Sequence, residues 1–233
     1  GRDSPKLLSW LEALEVLYQN TDQMAESVAV LRRAIAIAQT VEDKGSERLG
    51  VFASRLAYGL LWIRGDAAEV SSLARQALAS KAVHGRLKDQ VLGDAHAVLG
   101  ELAAAEGKAK EALRHLETAL PHLERHYGRE SPRLAAPLQD LAVLNHQEAD
   151  YLRAVEMGER VLAIRRAHLP PDHEVIRSTL RQLTFSLQAL KRHQEVVIYL
   201  REVLALTRSA LGSEHPEVAF EMMQLAFGLG QTN

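Results

Sequence analysis

The sequence has no cysteine. Disulfides, thiolate metal sites and cysteine nucleophiles are therefore excluded, and the composition agrees with a cytoplasmic protein. It also lacks an uninterrupted apolar run of the ~18 or more residues that a membrane span needs. Neither sign of charge dominates: the formal net charge is −2 and the pI about 6.6, whereas a nucleic-acid binder usually shows a basic face or a high pI. Membranes and nucleic acids are thus not expected partners. The glycine patterns that cradle phosphates, GxxxxGK followed by Ser or Thr and GxGxxG after a strand, do not occur, nor does a GxSxG elbow. Gly228-Leu229-Gly230 is too short to count as one. Sustained β-branched alternation is absent, as are Asn-Gly and Asp-Gly turns. No cofactor is expected, and nothing marks an enzyme.

What the chain does contain is apolar residues in quantity. Hydrophobic residues make up 47% of its 233 positions and charged residues 25%, the balance of a folded protein rather than a disordered one. Arg outnumbers Lys roughly three to one, a bias that resembles a GC-rich bacterial genome. The opening Gly1-Arg2-Asp3-Ser4-Pro5 has neither an initiator methionine nor a signal peptide, and reads as the cut edge of a longer protein.

The dominant pattern is a repeat of 42 residues. Ser131, His173 and His215 keep that spacing, as do Leu138, Leu180 and Met222, and Leu99, Leu141, Leu183 and Leu225. Leu78, Leu120, Leu162 and Leu204 form another column, and Gly65, Gly107, Ala149 and Lys191 fill a slot at the turn between two helices. Within a unit, apolar residues recur at three- and four-residue steps, as at Leu134, Leu138, Leu141 and Leu144, so each unit is a pair of amphipathic helices. Eleven helices are expected, near 6–20, 24–42, 47–64, 67–84, 87–106, 109–127, 131–148, 151–169, 173–190, 193–211 and 215–229. The first pair is one residue out of register. Ser4-Pro5 and Ser131-Pro132 place an N-cap before a proline at the first helical position, and Asp66 with Glu69 resembles a capping box. Gly100, Ala142 and Ala226, with Thr184 as the exception, mark a column where helix backbones approach closely. No linker divides the chain, so the expectation is one all-α domain over 1–233, with units near 5–46, 47–88, 89–130, 131–172 and 173–214 and a partial unit at 215–233.

The connector Ala210-Leu211-Gly212-Ser213-Glu214-His215-Pro216-Glu217-Val218, and its counterpart from Leu162 to Val175, resemble the link between 42-residue tetratricopeptide repeats of the kinesin-light-chain type. The likeness is specific from about residue 120 onward. Before it only the generic tetratricopeptide spacing persists, with Ala34, Ala77 and Ala119 in the small-residue slot. Two features depart from that family. Its aromatic slot holds Tyr151 but also Ala109 and His193, and its cargo-contacting asparagine pairs are replaced by Gln139-Asp140 and Arg181-Gln182, so the cargo function is not carried over. The resemblance implies a right-handed α-solenoid of about five helix pairs plus a terminal helix, with the first helix of each pair lining a concave groove. Helical geometry and this face assignment put Arg55, Trp62, Gln139, Asp140, His146, Arg181, Gln182, Phe185, Gln188 and Gln224 on that groove. Amides, arginines and aromatics suit the gripping of a peptide, and reversing the charge of Arg55 and Arg181 is expected to weaken binding without unfolding.

Three functional readings follow. The first is a scaffold that holds a segment of another protein in the groove. The second is a regulatory or sensory module of a larger bacterial signalling protein, such as a kinase, transcription regulator or protease-like effector, whose partner is then a domain of the same chain. The third is metal-dependent catalysis, which rests on ten histidines alone. His122 and His126 lie one helical turn apart, with His115 a turn or two before them, yet no further ligand at suitable spacing completes a site. They are expected to be ordinary exposed side chains, and His173 and His215 helix-start residues. The apolar last helix, with Phe220, Met222, Met223, Leu225, Phe227 and Leu229, is a candidate surface for self-association.

Overall fold

A computed structural model describes residues 5–21, 23–43 and 45–232. Among them are eleven α-helices and no strand: α1 (Pro5–Asn20), α2 (Met24–Val41), α3 (Glu47–Trp62), α4 (Ala67–Leu78), α5 (Lys88–Ala105), α6 (Ala109–Tyr127), α7 (Ala135–Gln147), α8 (Tyr151–His168), α9 (Glu174–Ala189), α10 (His193–Leu211) and α11 (Pro216–Gly230). Two 3-10 turns occupy Lys81–His84 and Pro132–Leu134. Contacts group the helices into two compact units, Gly1–Arg129 and Glu130–Asn233.

Most helices lie where the periodicity puts them, with small shifts at their ends. The fourth is the exception. It stops at Leu78 instead of running to His84, because Ser80 turns the chain. Its Oγ donates to Ala77 O at 2.7 Å and accepts from Ala82 N at 3.2 Å, starting the 3-10 turn. Gly50 on α3 makes the turn possible, since a Cβ there would lie 1.9 Å from Ser80 Oγ. The seventh also starts late. Ser131 caps as expected, but it accepts from Arg133 N at 3.3 Å and opens a single 3-10 turn ahead of α7.

Other caps follow from side-chain chemistry. Asp66 Oδ1 accepts from Glu69 N at 2.8 Å. The Glu69 carboxylate instead takes the Arg32 guanidinium through two bonds of 2.6 and 2.8 Å. His173 and His215 cap α9 and α11 through Nδ1, which accepts from Val175 N at 3.3 Å and Glu217 N at 3.2 Å. Ser4 and its expected cap lie outside the described residues.

The first helices α3, α5, α7 and α9 each end in a left-handed residue. Gly107, Ala149 and Lys191 have φ of 74°, 62° and 57°. The next amide in each case closes the motif onto the carbonyl of Ala103, Asn145 or Leu187, at 2.8 to 2.9 Å. The turn after α3 corrects the sequence column. There the left-handed residue is Arg64, φ 56°, and Gly65 is the residue whose N–H bonds Leu60 O at 2.7 Å. One more residue therefore separates that motif from the following helix.

In the first unit Leu8, Leu31, Phe52, Leu56, Val70 and Val98 belong to one core. Gly100 lets α5 close on α6, where a Cβ would meet Leu116 Cγ at 2.6 Å. In the second unit the core joins Val155 and Leu162 of α8, Ile176, Leu180 and Leu187 of α9 and Leu200 of α10. On α11, Val218 and Gly228 are buried. Met222 and Leu229 are 49% and 40% exposed, whereas Leu180 and Leu187, one repeat earlier, are fully buried.

A non-glycine left-handed residue costs about 1–2 kcal/mol, part of which glycine gives back as lost chain entropy. Ala149→Gly and Lys191→Gly should each raise unfolding stability by about 0.5–1 kcal/mol in urea titrations. A loss of stability in both would show that these turns do not strain the backbone.

Candidate functional site

The second unit holds eight of the ten groove residues expected from sequence; Arg55 and Trp62 belong to the first. Four of the eight surround one cavity. It lies between α7 and α9, over α8, with a volume of about 250 Å³. Ala142, Val143 and Leu183 wall it, and Ala154 and Gly158 of α8 line its floor. Gln139, His146, Gln182 and Phe185 contribute the rest of the lining, together with Gln147, Thr179 and Ser186. Phe185 is 59% exposed. His146 Nδ1 sits 2.9 Å from Ser186 Oγ, and its ring packs edge-on against Tyr151 with centroids 5.2 Å apart.

Sequence columns did not reveal Arg165, which comes from a second helix of a pair. Its Nη1 donates to Gln139 Oε1 at 2.9 Å and to Val175 O at 3.4 Å, and it also bonds Thr179 Oγ1. Burial lowers the guanidinium pKa from its usual value. Gln139 Nε2 in turn donates to Gln182 Oε1. One signal pointed to Arg165: a cation stands in a column whose earlier member, Leu123, is 2% exposed.

Arg181 and Arg55 are engaged within the fold. Arg181 Nε donates to Glu221 Oε1 at 2.7 Å, and its Nη2 bonds Glu217. Arg55 Nη1 donates to Glu15 Oε2 at 3.1 Å, and its Nη2 to Gln90 Oε1 at 3.3 Å. Two of these three glutamates, Glu15 and Glu221, are 1% exposed. Reversing either arginine would strand a buried carboxylate, so the expectation that folding survives the double reversal conflicts with this geometry.

Asp140 is half-buried, and desolvation pushes its carboxyl up to about 6. Gln188 borders a separate hollow with Phe227 and Gln231. Gln224 is half-buried on α11, and Trp62 is 59% exposed at the end of α3.

The histidines form no metal site; among the described residues no three His, Asp or Glu side chains come together as one. His122 Nδ1 lies 2.6 Å from Asp89 Oδ1, which Arg125 also binds. His126 packs edge-on against Tyr127. His115 meets His96 instead, Nδ1 to Nδ1 at 2.8 Å. Burial, then the charges of His115, His122 and Arg114, lowers His96 to about 4. Burial and Arg114 push His115 down as well, against the opposing pull of Glu111.

Family models described as tetratricopeptide repeat match residues 93–167 and 177–217. The chain is a tetratricopeptide-repeat protein. The fold is similar to that of BtubC (BKLC) from P. vanneervenii, with a TM-score of 0.62 and 23% identity over 91% of this chain and 83% of that one. It is also similar to a kinesin-light-chain-type protein of Podosopora anserina with nearly identical TPR-like repeats, at a TM-score of 0.57 and 24% identity over 89% and 98% of the two chains. The apo form of RapI matches at 0.59, with 13% identity over 87% and 71%. No curated protein matches the sequence. No described helix is long and apolar enough to cross a membrane.

Two predictions follow from the polar contacts of this tetratricopeptide array. Arg181→Ala should destabilise the chain by about 3–5 kcal/mol, and Arg181→Met/Glu221→Leu should recover most of that loss; urea titrations of the single and double variants test the coupling. The second concerns acid. Above pH 6.5, the ordinary histidine value, His96 is neutral whether the chain is folded or not. Below it the unfolded chain takes up a proton that the folded chain refuses down to about pH 4, so stability falls as pH drops across this window. His96→Gln should flatten that decline in melting temperature, and an unchanged slope would remove His96 as its cause.

Proposed function

We propose that the α7–α9 face binds a segment of a partner protein. Tetratricopeptide repeats generally mediate protein–protein interactions, and the cavity between these two helices supports placing the contact here. It has an apolar floor, amide groups in its lining and an exposed aromatic ring, a combination that buries a side chain while satisfying a backbone.

Site-directed photocross-linking tests the placement. A photoreactive benzoylphenylalanine replacing Phe185 should cross-link the partner in lysate, and the same group replacing the exposed Ile198 of α10 should not. Val143→Trp, which fills the cavity, should abolish the Phe185 cross-link. Cross-linking only from position 198, or a yield indifferent to Val143→Trp, would move the interaction to another surface.

A further inference from the structure

We propose that the α7–α9 cavity receives one uncharged, bulky apolar residue of a peptide, and that Arg165 aims the Gln182 amide at that residue's backbone carbonyl. The proposal rests on the groove reading above and names the chemistry of the occupant.

Size sets the first limit. A cavity of about 250 Å³ exceeds the ~150 Å³ that holds benzene and falls short of the ~300–1,000 Å³ of small-molecule sites. A single large side chain fits it, and a cofactor does not. Charge sets the second. The lining contains no Asp, Glu, Lys or Arg, and Arg181 is already paired with Glu217 and Glu221. A charged side chain entering the cavity would lose its water without meeting a charged group in the lining, and the nearby Arg165 Nη1 is already engaged by Gln139, Thr179 and Val175.

The third argument concerns direction. An amide's oxygen and nitrogen ends are ordinarily ambiguous, but a guanidinium only donates. Gln139 must therefore turn Oε1 toward Arg165 Nη1. That leaves its Nε2 facing Gln182, so Gln182 must answer with Oε1. The chain of bonds runs one way, from Arg165 through Gln139 to Gln182. It leaves Gln182 Nε2, which has no acceptor among the described residues, as an oriented donor beside the cavity. A carbonyl oxygen is its complement. Arg165 never touches the peptide; it is a positioning residue.

Phage-displayed random 12-residue peptides provide the probe, since display through the peptide's C-terminus offers internal carbonyls and no free carboxylate there. Enriched peptides should share one Leu, Met, Phe or Trp within an uncharged stretch. Synthetic copies, measured by fluorescence polarisation, should bind Gln182→Glu about tenfold or more weakly. That substitution keeps an oxygen for Gln139, replaces the outward donor with an acceptor and adds one negative charge on an exposed side chain, so its melting temperature should stay close to that of the unsubstituted protein. Arg165→Lys, which still only donates, should bind nearly as well as the original, and Arg165→Met should resemble Gln182→Glu. An acidic consensus, or full affinity in Gln182→Glu, would overturn the proposal. If Val143→Trp abolishes binding while Gln182→Glu does not, the groove reading stands and this inference falls. If Val143→Trp leaves binding intact, or no peptide is enriched, both fall.

Discussion

An amphipathic helix in this chain cannot bury its apolar face alone; each does so only against its neighbour. The rest of the architecture answers that requirement. Leu180 and Leu187 on α9 are fully buried, each contributing roughly 1.5–3 kcal/mol by leaving water. Such burial requires backbones to come close, which is why Gly100 faces Leu116 without room for a Cβ. It also requires the chain to reverse within a few residues, which is why the turns accept left-handed backbone even at Ala149 and Lys191. The caps and turns are thus consequences of pairing.

Across neighbouring first helices of the second unit, polar contacts recur at a separation two residues short of the period. His146 meets Ser186, Arg181 meets Glu221, and Arg165 holds Gln139 and Thr179 together. In the first unit Glu15 and Arg55 stand the same 40 residues apart. Columns of 42 therefore show which face a residue occupies, and they do not show what it touches. Helices and caps were legible because they depend on local spacing and on residues such as His173 and Asp66. The cavity's lining was partly legible, since Gln139, His146, Gln182 and Phe185 share the predicted face. The neutralisation of Arg55 and Arg181 was not, because a glutamate one repeat away reads as an ordinary charged residue until its 1% exposure is known. Ser80 escaped for a similar reason: its turn depends on Gly50, thirty residues earlier.

The two units carry titrating groups of opposite tendency. His96, in the first, is held neutral by burial, and acid therefore weakens the fold around it. Asp140, in the second, resists ionisation. From pH 3.8 to about 6 the unfolded chain gives up this proton before the folded one, so its contribution falls as pH rises. Their combined effect favours neither extreme, and the pH dependence of each unit carries its own sign.

The internal ion pairs also bear on how fast a partner arrives. Arg181 presents no uncompensated positive charge, because two carboxylates surround its guanidinium. A segment docking there as proposed would find no free cation on Arg181 to steer it, and unsteered protein pairs meet at ~10⁵–10⁶ M⁻¹ s⁻¹. Encounter rates of unsteered pairs depend little on ionic strength. On the proposed reading, discrimination among partners would reside in how long each one stays.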